Sequence, residues 1–103
     1  MQNSMRLRTE TQLKDFLLEQ LEKDSFENLV FFVHRRCLWH HPDQYWYFVV
    51  FDNDCLGMFR GKDDYFYNFL SDLGLKKSDM LEIYYRVQCI DSDRLAGIIK
   101  WYS

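Results

Sequence analysis

The run Tyr45-Trp46-Tyr47-Phe48-Val49-Val50-Phe51 is aromatic or aliphatic at every position. Aromatic and β-branched side chains fit a pleated strand, and a strand without polar alternation needs cover on both faces. Asp52-Asn53-Asp54 follows with turn chemistry, since Asp and Asn tolerate left-handed backbone and bond to their own main chain. Cys55-Leu56-Gly57-Met58-Phe59-Arg60 then returns as the partner strand of a hairpin. Any fold for this chain has to be built around that hairpin.

The flanking segments supply the rest. Thr9 and Gln12 make a capping box, and Leu13, Phe16, Leu17 and Leu21 recur at helical spacing, so a helix is predicted over residues 10–23. Residues 1–8 are polar or basic and are expected to fray. Leu29-Val30-Phe31-Phe32-Val33 reads as a central strand that turns polar at His34-Arg35-Arg36. Pro42 lies in the connector that follows and cannot donate to a ladder. Asp63 or Asp64 is expected to cap a second helix with the stripe Phe66, Phe69, Leu70 and Leu73, ended by Gly74 in left-handed geometry. Residues 81–89 alternate, with Leu81, Ile83, Tyr85, Val87 and Cys89 on one side, and predict a half-exposed fourth strand of undetermined direction. A last short helix, capped by Asp91 or Ser92, carries Leu95, Ile98, Ile99 and Tyr102. The expectation is one α+β domain over residues 1–103: a single-layer, mainly antiparallel four-stranded sheet packed by helices in the order α-β-β-β-α-β-α.

Nine Phe, seven Tyr and three Trp are more than one core of 103 residues hides, because each aromatic side chain buries about 150–250 Å². Either helices flank both faces of the sheet, or one face meets a second copy of the chain or another protein, where Tyr and Trp are enriched. Sixteen acidic against thirteen basic residues give a net charge of −3, the wrong sign for a chain that tracks a nucleic-acid backbone. Three cysteines without a CxxC pair, and no leader peptide, predict free thiols and a cytoplasmic setting. No apolar run reaches the roughly 20 residues of a membrane span.

Three constellations carry candidate chemistry. The carboxylates of Asp52, Asp54 and Asp63, with the aromatic surface of Tyr45 and Tyr47, are the candidate contact residues for a partner protein, expected to be basic. Turn formation and helix capping account for much of that acidic signal. Arg35, Arg36, Trp39 and His40 are the candidate alternative, a nucleic-acid contact in which cations meet phosphates and Trp39 stacks on a base. No RRM, KH, zinc-finger or double-stranded-RNA-binding signature accompanies them, and Asp63 and Asp64 stand where the last of these carries lysines. Cys37, His40 and His41 match no closed zinc motif, so neither a metal nor a cofactor is expected. GxSxG, HExxH, phosphate-loop and kinase patterns are all missing, so no catalytic residue is assigned. The sequence thus favours a small acidic interaction module that inhibits or regulates a larger basic protein.

Overall fold

The computed structural model describes residues 6–35 and 45–91. Helix α1 (Glu10–Lys23) starts at the expected capping box: Gln12 N–H donates to Thr9 Oγ1 at 3.1 Å, and Thr9 N–H donates to Gln12 Oε1 at 3.2 Å. It ends at Asp24, whose left-handed backbone (φ 56°) turns the chain toward the sheet. Strand β1 (Leu29–Arg35) pairs antiparallel with β2 (Tyr45–Phe51), from Leu29 opposite Phe51 to Arg35 opposite Tyr45. β2 pairs antiparallel with β3 (Asp54–Gly61), with an irregularity between Val49 and Val50 that places an extra residue, Leu56, on the β3 side. Strand β4 (Gln88–Asp91) lies parallel to β1, which gives the strand order β3-β2-β1-β4.

Helices α2 (Phe66–Asp72) and α3 (Lys77–Arg86) lie between β3 and β4 in the chain. The α+β class and the mainly antiparallel four-stranded sheet are as expected, with helices packed against it. The segment over 81–89 is a correction: residues 77–86 are helical, and the fourth strand is short and begins only at Gln88. Ile83 and Val87 satisfy both an alternating and a helical stripe, so they cannot tell the two apart. Met80, Ile83 and Val87 are buried at helical spacing, whereas Tyr85, which alternation puts inside, is 77% exposed. The Glu82–Arg86 ion pair one turn apart also favours the helix. Gly74 takes its predicted left-handed geometry (φ 81°) after α2. The predicted final helix carrying Leu95, Ile98, Ile99 and Tyr102 lies outside the described residues.

All three described helices pack on one face of the sheet. Leu13, Phe16 and Leu17 of α1, Phe66, Phe69 and Leu70 of α2, and Ile83 of α3 share a cluster with Phe31, Tyr47, Val49 and Phe59. Leu7 belongs to the same core and donates its N–H to Leu56 O at 2.8 Å, so the chain is anchored here rather than frayed. The opposite face carries a second cluster, in which Phe32 and Val50 are buried among Val30, Phe48 and Ile90, each partly buried. Both faces of β1 and β2 are therefore apolar, as the missing alternation requires. No described helix is long and apolar enough to cross a membrane.

Candidate interaction surface

The β2–β3 turn consists of Asp52 and Asn53, both left-handed, at φ 55° and 65°. This is the pattern of a two-residue type I′ turn, whose twist matches that of the strands it joins. Asp52 N–H donates to Asn28 O at 3.1 Å and fastens the tip to the segment between α1 and β1. The main chain thus holds the turn, and Asp52, Asn53 and Asp54 are all exposed.

A groove lies on either side of this tip. On the helix side, Phe16, Gln20, Phe51 and Leu56 line it together with the charged side chains of Glu19, Lys23, Asp52 and Asp54. On the other face, Val30, Phe32, Val50 and Ile90 wall a groove rimmed by Glu27 and Asp52. Nearby, Lys23 pairs with Glu19 at 2.9 Å, and the Arg86 guanidinium joins Asp24 while lying over the Phe26 ring. Among the described residues no cation pairs with Glu27, Asp52 or Asp54. The hairpin tip is therefore a rigid acidic point between two partly apolar grooves.

The remaining predicted contact residues are elsewhere. Tyr45, Tyr47 and Asp63 sit at the far end of the hairpin, about 20 Å from the tip along a seven-residue strand. Tyr47 is fully buried: its ring stacks on Phe69 at 4.2 Å, and its hydroxyl donates to Asp63 O at 2.8 Å. Burial, reinforced by the nearby Cys89 and Asp63, pushes its phenol well above the ordinary value of 10.0. Its ring belongs to the core and offers no surface. Tyr45 is half-buried against the same core. The Asp63 carboxylate accepts from Tyr65 N–H at 2.9 Å and from Asn68 Nδ2 at 3.0 Å. Neither Asp63 nor Asp64 is the N-cap of α2. That position is Tyr65, which makes no side-chain cap bond, and Asp63 acts two residues earlier, in a turn closed on Tyr65 N–H.

Of the alternative nucleic-acid residues, Arg35 ends β1 opposite Tyr45. Arg36, Trp39 and His40 lie outside the described residues, as do Cys37 and His41. Among the described residues no group of three His, Cys, Asp or Glu side chains could hold a metal ion.

Sequence reasoning missed a tyrosine cluster at the end of the sheet remote from the tip. Tyr84 meets Tyr65 at 6.1 Å, Tyr67 at 5.4 Å and Tyr85 at 5.3 Å between ring centroids. Tyr84 OH donates to Tyr65 OH at 3.4 Å, and this bond holds the Tyr84 phenol above its ordinary value. Tyr65 is 50% and Tyr85 77% exposed. The available signal was the pairing of Tyr65 and Tyr67 beside two aspartates with a Tyr84-Tyr85 doublet downstream. Reading that doublet as part of a strand separated it from the first pair.

No protein-family model, curated protein or solved structure matches the chain.

Proposed function

We propose that the chain is a protein-interaction module that docks a larger, basic protein through its β2–β3 tip and thereby inhibits or regulates that protein. The reading rests chiefly on one observation: Asp52 and Asp54 are exposed, without a cationic partner among the described residues, on a turn whose shape the main chain already holds. A docking group held in place before binding loses little conformational freedom on association. Exposed carboxylates of one sign also accelerate encounter with a basic surface and set its orientation. The grooves beside the tip add apolar walls, so a partner's lysine or arginine stems have somewhere to lie.

Zero-length carbodiimide cross-linking in host extracts tests this, because the reagent joins carboxylates to lysines in direct contact. The expected product links Asp52 or Asp54 to lysines of one stoichiometric partner, and that partner no longer co-purifies with the Asp52→Asn/Asp54→Asn variant. A partner that still co-purifies with that variant, or the lack of any stoichiometric partner, would count against the tip.

A further inference from the structure

The sheet face remote from α1, α2 and α3 is buried, yet no described helix lies on it. Residues paired across a sheet share a face, so Val30 and Phe32 of β1, Phe48 and Val50 of β2 and Ile90 of β4 all point to that side. Phe32 and Val50 wall the groove there, but only 2% and 3% of their surface is exposed. Strand neighbours crowd the base of a side chain and leave its top open, so the sheet alone does not hide a Phe ring. A second copy does not hide it either, because the burial is present in a single chain. The cover therefore belongs to this chain, outside residues 6–35 and 45–91.

We propose that residues 92–103 lie as an amphipathic helix across β4, β1 and β2 on this face, with Leu95, Ile98 and Ile99 against Phe32 and Val50. Leu95, Ile98, Ile99 and Tyr102 fall at i, i+3, i+4 and i+7, which is one apolar stripe, and Asp93 and Lys100 fall on the opposite side. The segment continues from β4, whose Ile90 stands beside Phe32 on the face to be covered. β4 ends beside Val33, so the chain leaves it at the far end of the hairpin and has the whole face ahead of it. Residues 92–103 as helix measure about 18 Å, close to the roughly 20 Å of the strands beneath. The other two segments fit poorly. Residues 1–5 lead to Leu7, which is bonded to Leu56 of β3, and on that side Met58, opposite Phe48, is 47% exposed. Residues 36–44 join Arg35 to Tyr45 at the end remote from Val50, and His40, His41, Pro42 and Asp43 leave them no apolar stripe. The helix takes up the sheet-face groove and leaves the tip carboxylates and the helix-side groove to a partner, so the two proposals fail independently.

Nuclear Overhauser contacts in the unaltered full chain read this packing directly. Methyl groups of Leu95, Ile98 and Ile99 are expected to show contacts to the Phe32 ring and the Val50 methyls. Isotope-filtered spectra of mixed labelled and unlabelled protein separate contacts within a chain from contacts between copies. Ile98→Asp sets a charge against the apolar face; it should lower Tm and raise binding of the dye ANS at least about threefold, as exposed apolar surface does. Lys100→Gln, on the solvent side of the same helix, should change neither. Contacts found only between copies would assign the face to a dimer and overturn the proposal. Contacts from Leu38 or Trp39 in place of Leu95, Ile98 and Ile99 would assign it to the connector, with the same consequence. An Ile98→Asp chain with unaltered Tm and dye binding would also overturn it, and if that variant does not fold, the contacts in the unaltered chain decide.

Discussion

The two ends of the β2–β3 hairpin each carry a pair of aspartates, but only the far end ties one of them into the structure. At the tip, two left-handed residues and the Asp52 N–H bond to Asn28 settle the backbone, and the carboxylates of Asp52 and Asp54 face solvent. At the other end, Asp63 is part of the structure: its carboxylate accepts two bonds and its carbonyl takes the Tyr47 hydroxyl. A carboxylate is available to a partner only where the main chain satisfies the turn without it. Residue type does not distinguish the two cases, but the hydrogen bonds do.

The largest expected effect is at Tyr47, where the structural end of the hairpin meets the core. Tyr47→Ala removes a fully buried ring stacked on Phe69 and should cost about 3–5 kcal/mol in denaturant unfolding. Tyr47→Phe loses only the bond to Asp63 O and should cost about 1 kcal/mol. The same residue sets an alkaline limit. Its phenol is held above the ordinary value of 10.0 in the folded chain, so the folded state keeps the proton that the unfolded chain releases. The stabilisation is therefore complete below about pH 10 and falls as the pH rises from there toward the folded value. Tyr47→Phe should flatten that alkaline decline, which thermal melts at stepped pH would show.

Gly61 tests how firmly that ring is held. A Cβ there would lie 2.6 Å from Tyr47 Cε1, and a ring stacked on one side and hydrogen-bonded at its tip has little room to retreat. Gly61→Ala should cost about 1–3 kcal/mol. A loss near zero would mean that the ring is free to shift. Next comes Asp63→Ala, expected to cost about 1–2 kcal/mol through its two lost bonds. Asp64→Ala, at an exposed position without such bonds, should stay within about 0.5 kcal/mol. Equal losses at the two would erase the contrast between a structural and a solvent-facing carboxylate.

What could be read from the residues follows the range of the interactions involved. The capping box of α1, the β2 strand and the turn at residues 52–54 depend on neighbours a few positions apart, and all three were legible. Helix α3 was not, because Ile83 and Val87 fit both periods and only the burial of Met80 with the exposure of Tyr85 separates them. Leu7 looked like part of a loose terminus because its contact, the bond to Leu56, comes from across the sheet edge. The candidate site divides in the same way. Asp52 and Asp54 were visible as an acidic turn, whereas the burial of Tyr47 and the meeting of Tyr65 with Tyr84, 19 positions apart, are products of the tertiary fold.

The smallest expected effect falls on the tip and is the most informative about function. Asp52→Asn/Asp54→Asn removes two exposed charges and keeps side chains that tolerate left-handed backbone. Stability should change by no more than about 0.5 kcal/mol, since neither carboxylate has an ion-pair partner among the described residues. The Asp52 N–H bond to Asn28 survives the substitution because it is made by the main chain. A loss well above 1 kcal/mol in equilibrium unfolding would show that the tip carboxylates hold the turn, as Asp63 holds its own, and the two ends would no longer differ. Unchanged stability with loss of the partner from co-purification is the opposite result: charges that the fold does not need and a partner does.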